Sequence, residues 1–165
     1  MLIREIKHDD AESFVNLIKK VESESKFMLF ESGERSISPE EQVKRIEVMR
    51  KSENSTIFIA EEDNQLIGYL IAIGGNAKRN RHSVYLVIGV LAQYRGLGIG
   101  TQLFEQLEKW AAEHNVHRLE LTVVTRNEAG IRLYKKMGFT IEGTKRHSLY
   151  IDGNFVDEYY MSKFL

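Results

Sequence analysis

The chain has no cysteine among its 165 residues. That excludes disulfides, thiolate metal sites and a cysteine nucleophile, and it fits a reducing compartment. Neither sign of charge is in excess: 23 Lys and Arg stand against 24 Asp and Glu, for a formal net charge of −1. Without a basic surplus, neither nucleic acid nor an anionic membrane is an expected partner. The local cluster Lys78 to His82 reads as a solvated loop. No apolar run approaches the ~20 residues that span a bilayer. The opening stretch MLIREIKHDD is charged from its fourth residue and has no apolar signal region, so a cytoplasmic location is expected. The five histidines show no His-Glu-x-x-His spacing, and no metal is expected. No repeat, low-complexity tract or linker interrupts the chain. A single domain over residues 1–165 is expected, large enough to bury about two-thirds of the surface its unfolded chain exposes.

What is present is patterned. LIREI alternates apolar and charged residues as a strand does. Asp9 with Glu12 three residues on reads as a helix cap, followed by Phe14, Leu17, Ile18 and Val21 on one face. Ser38-Pro39-Glu40-Glu41 reads as a second helix start, with Val43, Ile46 and Met49 toward the core. TIFIAEEDNQLIGYLIAIGG is a strand hairpin turning at Glu62 to Gln65, and HSVYLVIGV a further strand. Leu103, Phe104, Leu107, Trp110, Ala111 and His114 form an amphipathic helical stripe. RLELTVV, a short helix ending at Gly138, and two strands joined at Asp152-Gly153 complete the chain. The fold class expected is α+β, with a mixed sheet of about seven strands and about four helices.

Gly96, Gly98 and Gly100 crowd the junction between a strand and the helix after it, although each glycine inside a helix costs roughly 0.8–1 kcal/mol relative to alanine. A helix start leaves backbone N–H groups unpaired, the helix dipole adds positive potential, and missing side chains let a phosphate approach. The competing account is a tight turn with positive φ, for which one glycine would suffice. Thr101-Gln102 after the last glycine does not fit a P-loop, and the third glycine comes one residue early for a dinucleotide fingerprint.

The spacing Arg95-x-x-Gly98-x-Gly100 resembles the pyrophosphate loop of the GNAT superfamily, the acetyl-CoA-dependent N-acetyltransferases. TRNEAGIRLYKKMGF matches the family's Asn-x-x-Ala/Gly-x-x-x-Tyr-x-x-x-Gly-Phe, through Asn127, Gly130, Tyr134, Gly138 and Phe139. The tail from Ile141 looks like the bacterial branch that contains amino-acid N-acetyltransferases.

The resemblance implies a sheet whose central strands splay and hold pantetheine in the gap. It implies backbone contacts from Ile88, Gly89 and Val90 to that arm. The amides of Gly96, Leu97, Gly98, Ile99, Gly100 and Thr101 would then lie on the pyrophosphate, Arg95 beside the phosphates, and Asn127 on pantetheine. Tyr134 matches the residue that protonates the departing thiolate. By spacing alone it would be a core aromatic, but with Asn127 and Gly138-Phe139 in register the catalytic reading prevails. Some relatives carry glutamate five residues before the asparagine; Thr122 stands there in this chain. Glu120, on the same strand face, and His82 are then the candidate bases. A cation partner for Glu120 and a structural role for His82 are the alternatives.

Phe27, Met28, Leu29 and Phe30 are too apolar for an ordinary solvated loop. In the family this segment and the late hairpin wall the acceptor site. Phe27 and Phe30 would line it, Glu31 or Glu34 would attract an ammonium and Arg35 a carboxylate, and Tyr150, Tyr159 and Tyr160 would complete the wall or pack as cross-strand aromatics. Both charge signs on an apolar wall suit the α-amine of a small amino acid. A polyamine acceptor, a protein N-terminus and a non-catalytic CoA-binding sensor are the alternatives. Family members often dimerise, so a homodimer is among the expectations.

Overall fold

Ser38 and Pro39 show how local chemistry starts an element in this chain. In the computed structural model, which describes residues 1–165, the Ser38 hydroxyl accepts from the Glu41 amide at 3.1 Å. Pro39 occupies the first helical position, where no N–H is needed. The entry to the first helix differs from expectation. A 3-10 turn at His8–Asp10 precedes it, and Asp10, not Asp9, carries the contacts. The Asp10 carboxylate accepts from the Lys7 amide at 2.7 Å and from two Arg4 nitrogens at 2.8 and 2.9 Å. A fork of charge-assisted bonds outweighs a lone N–H cap.

Arg4 holds the Asp10 carboxyl below the usual carboxylate range. A depressed folded-state pKa contributes stability above the unfolded value, and that contribution is lost as pH falls through the folded value. Asp10→Asn is therefore expected to cost about 1–3 kcal/mol at neutral pH. Urea denaturation should show the gap shrinking below about pH 4; an undiminished gap in acid contradicts the assignment.

The elements run β1 (Leu2–Glu5), α1 (Ala11–Glu24), α2 (Pro39–Lys51), β2 (Thr56–Glu62), β3 (Gln65–Gly74), β4 (Ser83–Val90), α3 (Ile99–Glu113), β5 (Arg118–Val124), α4 (Glu128–Lys136), β6 (Thr140–Ile151) and β7 (Asn154–Phe164). All seven strands join one sheet in the order β1-β2-β3-β4-β5-β7-β6. Every neighbouring pair is antiparallel except β4 and β5. The mixed, mostly antiparallel α+β fold expected from the sequence is the one found.

Consecutive strand residues point to opposite faces, and β3 shows what covers each. Phe14 of α1 meets the Tyr69 ring edge-on at 5.6 Å. Ile99 of α3 lies against Gly68 on the other side. The expected α1 stripe is buried throughout, and so is the α3 stripe except His114, which is half-buried. The His114 ring stacks on Trp110 and its Nδ1 lies 2.7 Å from the Trp110 carbonyl.

The parallel pair is short. Ser83, Val84 and Tyr85 pair with Arg118, Leu119 and Glu120, and then pairing stops. Each strand keeps its outer partner. β4 stays in register with β3 as far as Val90 and Gly68, and β5 with β7 as far as Val124 and Glu158. Only the inner edges part, so the sheet splits between Leu86–Val90 and Leu121–Val124. This is the splay the resemblance implied.

Candidate active site

The glycine loop sits at the mouth of that split. Gly96 and Gly98 have φ of +76° and +83°, and an added Cβ on either would meet no protein atom within 4 Å. Gly100 answers a different need: a Cβ there would lie 2.8 Å from Leu133 of α4. Backbone conformation thus requires two of the glycines and helix packing the third. Their number alone is no argument for a phosphate. None of the backbone N–H groups from Gly96 to Thr101 reaches a backbone acceptor; the first helical bond runs from Gln102 to Gly98. Unpaired amides at a helix N-terminus, with open space over two glycines, are the donors an anion would need. Lys136 reaches the Thr101 hydroxyl at 3.3 Å, and Arg132 of the same helix also faces the cleft. Arg95 braces the loop, reaching the carbonyls of Val90 and Glu24 at 3.4 Å each.

The split opens into a cleft of about 1580 Å³. Ile88, Gly89, Val90, Arg95, Gly96, Gly98, Ile99, Gly100, Thr101, Asn127 and Tyr134 all line it. Leu97 does not; the residue is 65% exposed. Asn127 caps α4, its side-chain oxygen accepting from the Gly130 amide at 3.0 Å. That use holds the side chain in place and leaves its NH2 group for a ligand.

Tyr134 is buried against Phe104 and Phe139, with ring centroids 6.0 and 6.2 Å away. Burial pushes its phenol up to about 12, with the nearby Tyr85 adding to the effect. Loss of water around the would-be phenolate is the cause. The phenol therefore stays protonated across the neutral range. Tyr85 hydrogen-bonds Thr122 across the split at 2.9 Å, and both line the cleft.

Glu120 and His82 are not brought to the cleft. Glu120 belongs to the paired part of β5, and Arg118 binds its carboxylate at 2.8 Å while also engaging Glu142. His82 lies before β4, at the end away from the split, where its carbonyl accepts from the amides of His117 and Arg118. On the acceptor side, Phe27, Met28, Leu29, Phe30 and Arg35 line the cleft and Glu31 does not. Arg35 is already engaged: it donates to Glu22 at 3.0 and 3.2 Å and lies 4.3 Å over the Phe30 ring. Glu22 is buried, a partner the sequence reading missed. The only signal for it is its place four residues after Ile18, on the edge of the buried α1 face. Lys145, Ser148 and Glu158, from the β6–β7 hairpin, were also missed; of the hairpin tyrosines expected at the wall, Tyr160 lines the cleft and Tyr150 and Tyr159 do not.

A long split leading from a row of free amides to a buried phenol suits a coenzyme with a diphosphate at one end and a reactive group at the other. In class, this is the architecture of a coenzyme A-dependent acyl transferase. The model of the acetyltransferase (GNAT) family matches residues 19–139. The chain belongs to that family, the acetyl-CoA-dependent N-acetyltransferases. It is 31% identical over 110 residues to the L-amino acid N-acetyltransferase AaaT of Escherichia coli strain K12, covering 64% of this chain and 66% of that protein. It is 36% identical over 121 residues to an N-alpha-acetyltransferase of Sulfurisphaera tokodaii, covering 68% and 71%. The alignments thus span about two-thirds of these curated relatives. Among solved structures, a GNAT-family acetyltransferase from Streptococcus pneumoniae superposes with a TM-score of 0.96 at 32% identity, over 99% of this chain and 98% of that one.

Proposed function

We propose that the protein transfers the acetyl group of acetyl-CoA to the α-amine of a small amino acid by direct attack in a ternary complex. The observation that carries the acceptor reading is the state of the carboxylates lining the cleft. Glu22 is held by Arg35, and Glu24 accepts from the Ala92 amide at 3.1 Å. Only Glu158 has no cation or backbone donor on it. A polyamine needs several acidic partners spaced along it; a single ammonium beside an apolar wall does not.

In this reading the amides from Gly96 to Thr101 hold the diphosphate, and Arg95 borders it. The free edge of β4 at Ile88 to Val90 and the Asn127 NH2 group hold the pantetheine arm. Phe27 and Phe30 face the acceptor. The coenzyme supplies an activated acetyl thioester, whose carbonyl carbon the amine nitrogen bonds as the C–S bond breaks. Tyr134 donates its O–H to the leaving sulfur and regains a proton, through solvent, from the nitrogen that has become an amide. Full transfer from a phenol near 12 to a thiolate of ordinary pKa ~8.5 is uphill by about 5 kcal/mol. The dry surroundings that raise the phenol also raise the thiolate and narrow that gap.

The acceptor must be neutral to attack. A peptide α-amine of pKa ~8 costs only ~1.4 kcal/mol to deprotonate at pH 7 and a lysine-like amine roughly 4.6; the α-amine of a free amino acid, beside its own carboxylate, lies between the two. A cleft without Glu120 or His82 thus suits the less basic amine. The rate should rise with pH as the acceptor deprotonates, with no falling limb below about pH 10, because Tyr134 remains protonated there. A falling limb near pH 8–9 would mean that the donor titrates as an ordinary thiol or amine does. Thiol release from acetyl-CoA, measured against free amino acids, polyamines and peptides, tests the acceptor class. Turnover confined to polyamines overturns the reading, and silence with every amine despite tight CoA binding favours the sensor.

A further inference from the structure

A free amino acid and a peptide N-terminus both present an α-amine, but only the free amino acid carries a carboxylate beside it. Resting on the proposed amino-acid acceptor, we propose that Lys145 and Glu158 form a two-charge clamp for a zwitterion, with Glu158 on the α-ammonium and Lys145 on the α-carboxylate.

Lys145 of β6 and Glu158 of β7 are direct register partners, so their side chains stand on the same face. Directly opposite residues have Cβ atoms about 4.5–5.5 Å apart. Both side chains line the cleft. Neither belongs to any of the ion pairs in the protein. An exposed Lys–Glu pair gains so little in water that leaving it unformed is nearly free. A bound zwitterion touching both would shed water from each.

The position of the pair is fixed from two sides. Glu158 is also the register partner of Val124, the last residue of β5, and Tyr160 is that of Thr122, so the clamp flanks the split. The β6 strand is irregular between Lys145 and Leu149, with His147 at φ +49° and its amide donating to Asp157 at 2.7 Å. Within that irregular stretch Ser148 reaches Glu158 and hydrogen-bonds its carboxylate. A carboxylate so held keeps acceptor capacity for an ammonium. Arg35 cannot serve as the carboxylate site without breaking its bonds to buried Glu22.

The test compares the twenty free L-amino acids with the corresponding L-amino acid amides, which keep the α-amine and lose the negative charge. Thiol release from acetyl-CoA is read for the wild type, Lys145→Gln and Glu158→Gln. The two probe series differ in amine basicity, but that difference cancels when the acid-to-amide ratio is compared between proteins. Lys145→Gln is expected to lower the ratio of kcat/KM by about tenfold or more, through KM, while leaving the rate on amides within about twofold. Glu158→Gln is expected to raise KM about tenfold or more for both series. Free amino acids turned over with an unchanged ratio in Lys145→Gln would overturn the clamp and leave the amino-acid reading standing. No turnover of any free amino acid by the wild type overturns both.

Discussion

Replacing Tyr134 by phenylalanine is expected to lower kcat by about 10²–10⁴-fold while CoA affinity changes by less than about twofold. The substitution removes one oxygen and nothing else. The ring packs on Phe104 and Phe139, contacts that phenylalanine reproduces. Burial and Tyr85, not a hydrogen bond, set the titration of the hydroxyl, so removing it strands no partner. Folding stability should therefore stay within about 0.5 kcal/mol of wild type. A fall in kcat without a fall in affinity or stability is the mark of a group used in the transition state. Equal turnover of the two proteins would remove Tyr134 from the mechanism and return it to the core.

The second large effect is expected at Gly98, where backbone strain and ligand approach can be separated. Its φ is +83°, and a Cβ would meet no protein atom within 4 Å. Valine there is strained by roughly 1–2 kcal/mol, whereas asparagine tolerates the left-handed region. Both would place atoms where the diphosphate must lie if the loop amides bind it. Gly98→Val and Gly98→Asn are each expected to weaken CoA binding by about tenfold or more in calorimetry. Only the valine variant should lose thermal stability. If Gly98→Asn bound CoA as wild type does, the glycine would serve the turn alone and the loop assignment would fail.

The elements were legible in the sequence because their signals are local. The α3 stripe repeats with the helix period, Ser38-Pro39 starts α2, and the positive φ values at Asp152 and Gly153 suit the turn that dipeptide announces. Asn127 and Tyr134 were singled out by the family resemblance, since spacing alone reads Tyr134 as a core aromatic; one cap and two helical turns bring both to the cleft. What escaped was set by pairing between distant segments. Glu120 and Thr122 share a strand face, so alternation cannot tell them apart. The end of the β4–β5 pairing at Glu120 decides that Thr122 reaches the cleft and Glu120 does not. Glu22 reads as a solvated glutamate until Arg35, across an irregular segment, folds onto it. Lys145 and Ser148 escaped because the irregularity between Lys145 and Leu149 breaks the two-residue period from which a strand's inward face is read. Asp9 was one residue from the acid that matters, because the 3-10 turn before α1 has no strong sequence signature.

In the proposed mechanism the unpaired amides from Gly96 to Thr101 hold a diphosphate and so set the thioester beside Tyr134. A crystal structure of the protein soaked in acetyl-CoA tests it most directly. The account predicts diphosphate oxygens about 2.7–3.2 Å from those amide nitrogens, pantetheine in the split beside Ile88 to Val90, and the sulfur within about 3.5 Å of the Tyr134 hydroxyl. A coenzyme bound away from the loop, or a sulfur out of reach of that hydroxyl, would contradict it.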